Sequence, residues 1–329
     1  MCFTGTMMIH RIPLLTLLLV LCASAQVRFT QSEGQIAVEI DGQPFSTFYF
    51  GKDAPKPYLH PIRAADGAIV SRGYPMEDIE GERRDHPHHR GLWFSHGDVN
   101  GFDFWANEFT QEPQSKKGVI RMTHIQHKAG KASGTISGTF EWAEPGGQVL
   151  LTEEREMVFH SGADNRLLDF DLKLTAGSKA VKLGDTKEGT FAIRLVTELE
   201  ENHPRATGIP RTGHILSATG KAGEAQTWGK PAAWVDYSGT LKGKEIGVAI
   251  FDHPGNPKHP SHWHVRAYGL FAANIFGEHD YYQDPSRDAG ITLEPGKSLR
   301  FLYRVVIHPG DAEQANIAKL YGDYMKATK

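Results

Sequence analysis

Two short runs carry most of the titratable chemistry in this chain. The first is Asp85-His86-Pro87-His88-His89-Arg90-Gly91. The second opens at Asp252-His253-Pro254 and passes through His259-Pro260 to His262-Trp263-His264-Val265-Arg266. Together they hold seven of the 17 histidines in 329 residues. An imidazole serves as acid, base or metal ligand near neutral pH, so two dense clusters far apart in sequence point to one shared site.

If 86–90 is extended, His86 and His88 project to one side and His89 to the other, and Pro87 argues against a helix. In the second run His262, His264 and Arg266 share one face of a strand, with Trp263 and Val265 on the other. Two imidazoles and a guanidinium in a row suit an anionic or polyhydroxylated ligand, or a developing oxyanion. The expected acid/base pair is His88 or His89 acting with His264, and Glu188 is the candidate carboxylate. Substrate contacts are expected from His86, Arg90, His96, Trp105, His253, His262, Arg266 and Asn274. Aromatic rings beside acids, amides and histidines form a typical sugar-binding lining. Trp93, Phe94, Phe102 and Phe104, taken singly, are expected in the core; Trp105 is balanced between core and pocket.

Metal binding is a separate question. The H-x-H pairs His86/His88 and His262/His264 can each chelate a divalent ion. No H-E-x-x-H is present, no spacing selects a metal, and a metal-free histidine pair accounts for the same residues. No cofactor is therefore predicted, and a divalent metal stays as the alternative. Weaker constellations are Glu188 with Arg194, Trp234 with Asp236, and the charged loop from Glu77 to Asp85. No Walker-type loop or dinucleotide fingerprint occurs.

The elements that must position these groups are β-strands. Leu168–Leu174, Ile136–Trp142 and Leu299–Val305 alternate apolar and polar residues, the period of a half-buried strand. Gln35–Ile40 and Phe45–Phe50 flank Asp41-Gly42, a hairpin signal. Further strands are expected at Val119–His127, Val149–Phe159, Phe191–Leu199, Ile246–Phe251 and Trp263–Ala273. One helix is expected at the C-terminus, where Ile317, Leu320, Tyr321 and Tyr324 form an apolar stripe behind a cap at Asp311. The expected fold class is all-β: a large antiparallel sandwich with a short C-terminal helix, residues 26–329 forming one domain.

Residues 1–25 are expected to be a signal peptide: Leu14–Leu21 is too short to span a bilayer comfortably, and Ala23-Ser24-Ala25 resembles a peptidase site. Export to the periplasm or medium follows. Leu21 before Cys22 disfavours a lipoprotein anchor. Both cysteines fall in that segment, so the rest of the chain has no disulfide. A net charge of −3 gives no electrostatic case for nucleic acid.

The two runs also resemble a known family. His86-Pro87-His88-His89-Arg90-Gly91-Leu92-Trp93-Phe94-Ser95-His96-Gly97 with Asp103-Phe104-Trp105 is similar to the bacterial PmoA-like family, often labelled "methane oxygenase PmoA". So are Asp252-His253-Pro254, Asn256-Pro257, His259-Pro260, Trp263-His264-Val265-Arg266 and Ala273-Asn274; Ile275 departs from the proline expected there. The methane-oxygenase label fits badly, because that subunit spans a membrane many times and this chain has no such helices. The resemblance implies exported proteins of polysaccharide-degrading bacteria and a galactose mutarotase-like supersandwich. The function expected from residues and resemblance together is acid/base chemistry on a sugar or oxidised glycoside: hydrolysis, elimination or epimerisation. The alternatives are a non-catalytic carbohydrate-binding protein and a His-ligated metal-dependent oxidoreductase.

Overall fold

Asp41 and Gly42 both take positive φ, 55° and 77°, the two-residue turn whose twist matches that of paired strands. That turn is the second in a β-meander of β1 (Val27–Ser32), β2 (Gln35–Ile40) and β3 (Gln43–Tyr49). The structure is a computed structural model that describes residues 1–2, 26–201 and 208–327. The expected signal segment therefore lies, apart from its first two residues, outside the described residues. The remaining strands are β4 (Tyr58–His60), β5 (Leu92–His96), β6 (Val119–Lys128), β7 (Ser133–Ala143), β8 (Val149–His160) and β9 (Arg166–Ala176). They continue with β10 (Val181–Leu183), β11 (Gly189–Arg194), β12 (His214–Ser217), β13 (Trp234–Leu241) and β14 (Lys244–Asp252). The last are β15 (Trp263–Val265), β16 (Leu270–Ala273), β17 (Ile291–Leu293) and β18 (Ser298–Pro309).

Two antiparallel eight-stranded sheets result. The first runs β1-β2-β3-β4-β5-β11-β16-β15, the second β12-β13-β14-β18-β9-β8-β7-β6, with β10 and β17 as a separate pair. Alternation along each strand sends one set of side chains between the sheets. Phe94 meets Trp142 and Phe301, and Phe191 stacks on Tyr303 at 4.5 Å. The fold is mostly β, as its hydrophobic alternation predicts.

The two outer faces are covered differently. On the second sheet, helix α3 (Ile317–Ala327) lays Ile317, Tyr321 and Tyr324 on Ala249, Phe251 and Val306. Two single-turn helices, α1 (Glu224–Thr227) and α2 (Glu278–Tyr281), precede it. Asp311 does cap, but its Oδ1 accepts from the Glu313 and Gln314 amides in the turn ahead of the helix. On the first sheet the cover is made by loops, and those loops carry the histidine runs. No helix among the described residues is long and apolar enough to cross a membrane.

Three local expectations change. Residues 86–90 are not extended: His86 has a φ of 46° and the His89 amide bonds to the His86 carbonyl at 3.0 Å. Pro87 is pre-set for the second position of such a turn. Trp263–Ala273 is a hairpin of β15 and β16, turning at Arg266-Ala267-Tyr268-Gly269, where Gly269 supplies a φ of 84°. The strand from Phe191 ends at Arg194, before a short 3-10 turn at Thr197–Leu199.

Candidate functional site

The strand register builds the floor. Trp93 on β5 pairs with Ala192 on β11, Ala192 with Ala272 on β16, and Ala272 with His264 on β15. All four face outward, because their neighbours Phe94, Phe191, Phe271 and Trp263 fill the core. Trp93 and His264 therefore bound one row, three strand spacings or roughly 14 Å apart. The two runs meet on one face and are held at opposite ends of it.

At the Trp93 end, the turn converts a straight run into a ring cluster. His86 stacks on His89 at 4.8 Å, His88 meets His89 edge-on at 4.4 Å, and His89 stacks on Trp93 at 5.3 Å. Trp105 closes the group, 5.0 Å from Trp93 and 5.9 Å from His89. Arg194, fully buried, directs Nη1 at His89 Nδ1 (3.1 Å) and Nη2 at Asp85 Oδ1 (3.1 Å). Burial pushes the Asp85 carboxyl up, but the His86 bond and the Arg194 and Arg72 charges outweigh it and hold it low. Burial pushes His88 down to about 2 and His89 well below the usual imidazole range, with neighbouring cations acting in the same direction.

At the other end, His264 is buried, its Nδ1 is 2.7 Å from the Lys187 carbonyl, and Nε2 has no partner among the described residues. Burial lowers it to about 4, against the opposing charge of Glu188. Arg266 is paired with Glu224 at 3.1 Å. Its guanidinium lies 5.7 Å from the Trp228 ring and 5.6 Å from Tyr268. Tyr268 joins the two ends, stacking on His86 at 5.5 Å with Arg194 4.7 Å above its ring.

These contacts fix tautomers. A guanidinium only donates, so His89 Nδ1 accepts from Arg194 and, in the neutral ring, the proton is on Nε2. A carbonyl only accepts, so His264 carries its proton on Nδ1 and keeps a lone pair on Nε2. Two neutral imidazoles of opposite polarity thus stand on one face, one a donor and one a base.

The other predicted residues separate. His96 faces the core, bonded through Nε2 to the Gly184 carbonyl at 2.9 Å and packed on Phe276. Asn274 spends both ends of its amide on loop backbone, donating to the Thr186 carbonyl of the β10–β11 connection and accepting from the Phe276 amide of its own. Arg90 forms a two-pronged pair with Glu108 (2.8 and 2.6 Å), which anchors the loop carrying Trp105. His253 lies against Tyr324 of α3, behind the second sheet. His262 bonds Tyr282 and stacks on Tyr281, beside His264 in sequence but turned to α2. Trp234 and Asp236 share a face, but it is the second sheet's outer one, where Asp236 pairs with buried His308 at 2.7 Å. Trp105 proves to be part of the ring cluster; Phe94 and Phe104 are core.

Sequence reasoning missed Lys56, Glu108, Glu224, Trp228 and Tyr268. Lys56 and Glu108 come from separate loops, Glu224 and Trp228 from the short helix α1 and its C-terminal cap, and Tyr268 from the β15–β16 turn, with no spacing in the sequence that marks them as a set. Lys56 is fully buried, bonds Trp105 O and Asn107 Oδ1 at 2.8 Å, and is lowered by burial to about 8. As for metals, the turn breaks the strand-type His86/His88 chelate, and among the described residues no three His, Cys, Asp or Glu converge as a ligand set.

A two-sheet antiparallel sandwich with a polar aromatic site on one outer face is the class defined by these observations. The chain belongs to a family of unknown function (DUF6807), whose profile covers residues 35–322. That description names no activity and does not bear the methane-oxygenase label. No curated protein matches the chain. Among solved structures it is similar to the GH36 α-galactosidase AgaB of Geobacillus stearothermophilus, at 10% identity and a TM-score of 0.44. The match covers 88% of this chain and 42% of that one, so this chain spans about two-fifths of the α-galactosidase. It is also similar to the galactose 1-epimerase of Lactobacillus acidophilus (10% identity, TM-score 0.36, 87% and 100% covered). A putative aldose 1-epimerase of Escherichia coli follows at 9% identity and a TM-score of 0.35, covering 87% and 99%. Such likeness assigns no chemistry, which has to come from the site.

Proposed function

We propose that this protein is an exported, carbohydrate-active enzyme that moves protons at a sugar carbon, in hydrolysis, elimination or epimerisation. The observation that carries the proposal is the pair of oppositely locked, neutral imidazoles, His264 and His89, on one aromatic-walled face. His264 Nε2 takes the proton and later returns it, and His89 Nε2–H donates a hydrogen bond to a substrate oxygen without giving up its proton. Glu188, the strongest opposing charge at His264, stabilises the imidazolium formed. Tyr268, half-buried, supplies a ring surface that a pyranose covers with its C–H face, and the buried Trp93 and Trp105 back the site from beneath.

The test is a product-resolved NMR screen of oligosaccharides and their ring-oxidised forms in D₂O. Deuterium entering a sugar carbon, bond cleavage or an unsaturated product is expected with the native chain and is lost in His264→Asn. Unchanged turnover in His264→Asn overturns the reading. Sugar binding without turnover, retained when His89 and His264 become Gln, establishes a binding protein instead.

A further inference from the structure

The ring cluster holds more than one donor. Four of its nitrogens are buried and have no partner among the described residues: Trp93 Nε1, Trp105 Nε1, His89 Nε2 and His88 Nδ1. Trp93, Trp105 and His89 are at most 1% exposed. A buried polar atom without a partner costs about 1–3 kcal/mol, so native proteins keep few of them and rarely side by side. An indole N–H can only donate, and the Arg194 contact makes His89 Nε2 a donor as well.

We infer that Trp93, Trp105 and His89 form a three-donor subsite for a carbonyl or carboxylate oxygen, so that the sugar substrate is an oxidised one. A hydroxyl both donates and accepts, and three donors leave its own proton poorly served. A carbonyl or carboxylate oxygen has two lone pairs and no proton, and gains most where only donors are offered. The surrounding charge agrees. The Lys56 ammonium is bonded to the Trp105 carbonyl, and the fixed charges that act on His88 and His89 most are Lys56, Lys117, Arg72 and Arg194.

This inference rests on the carbohydrate reading above, and the test separates the two. Calorimetric titration of the native chain compares glucuronate with glucose, and a methyl glycoside bearing one ring ketone with methyl glucoside. Tenfold or greater preference for glucuronate supports the subsite with a carboxylate as its source; the same preference for the ketone supports it with a carbonyl. Trp105→Phe keeps a ring and removes one N–H. It is expected to lower the preference for the oxidised sugar over its neutral partner about ten- to hundredfold. Because the native selectivity needs no variant, a poorly folding Trp105→Phe does not remove the test. Equal affinity for oxidised and neutral sugars overturns the subsite and leaves the carbohydrate reading standing. No affinity for any of the four overturns both.

Discussion

The two histidine runs look alike in sequence and are used in opposite ways. In the stretch around Asp252 the buried carboxylate is answered on both oxygens. Asp252, fully buried, accepts from Asn256 Nδ2, His259 Nδ1 and the Ser261 amide, each at 2.7 Å, and Asn256 closes onto Leu302 of β18. This is a clamp joining a proline-rich loop to the second sheet. In the first run, buried nitrogens of His88, His89 and the two tryptophans that His89 touches are left unanswered among the described residues. Saturated polar networks hold structure, whereas unsaturated ones on an aromatic face are where a ligand gains free energy. Within the second run the division falls at the strand: His259 belongs to the clamp, and His264, on β15, belongs to the site.

The sharpest way to break this contrast is at His264. His264→Asn is expected to lower turnover, on the substrate returned by the deuterium screen, by two orders of magnitude or more, with melting little changed. Since burial places His264 near 4, the base form persists on acidification and the rate falls only as pH drops through about 4. A rate limb near 6.5 instead shows that another group is the base.

Asp252 is the complementary case. Asp252→Ala strands three donors, Asn256 and the Ser261 amide buried and His259 partly so, and is expected to cost about 3–5 kcal/mol in chemical denaturation. Activity per folded molecule stays at the native level, because no part of the clamp touches the face between Trp93 and His264. Lost activity in a folded Asp252→Ala protein merges the two regions and ends the comparison.

Legibility followed periodicity. The alternation in β7, β9 and β18, the Asp41-Gly42 hairpin and the stripe of α3 were all readable, because each is a local pattern with one geometric solution. The outward direction of His264 followed from the same alternation. The turn at His86–His89 was not readable, because a positive φ at a histidine is imposed by what surrounds it. Without that turn the cluster is mistaken for a chelating strand. His96 shows a related limit: it is three residues from Trp93, and only strand parity puts one in the core and the other on the site. His253 and Asn274 lie within the motifs yet serve loops, and Tyr268 and Trp228 serve the site with no motif at all.

Stability against pH tests the buried imidazoles as a group. His96 and His264 are each lowered to about 4 by burial, whereas the unfolded chain titrates near 6.5. Below pH 6.5 the unfolded state binds protons that the folded state refuses. Stability is therefore fully present above pH 6.5 and falls as pH drops; the share of His96 and His264 levels off at about 4, while that of His88 and His89 goes on falling below it. Each of His96 and His264 contributes on the order of 3 kcal/mol to that fall. Denaturant titrations at pH 7, 5.5 and 4 measure it, and His96→Asn, remote from the site, is expected to flatten the slope. A flat profile in the native chain shows that these imidazoles are hydrated.

The smallest effect expected is at His253, and it separates motif from site. Its ring meets Tyr324 edge-on at 5.5 Å and its Nδ1 accepts the Gly255 amide at 2.9 Å. His253→Ala removes that one aromatic contact and one exposed turn bond, so it costs about 1 kcal/mol in denaturation. Affinity for sugar and turnover stay at native values, since the second sheet stands between His253 and the face that carries Trp93 and His264. If His253→Ala lowers affinity tenfold while stability holds, the outer face of the second sheet takes part in recognition. The division of the second run at β15 is then drawn in the wrong place.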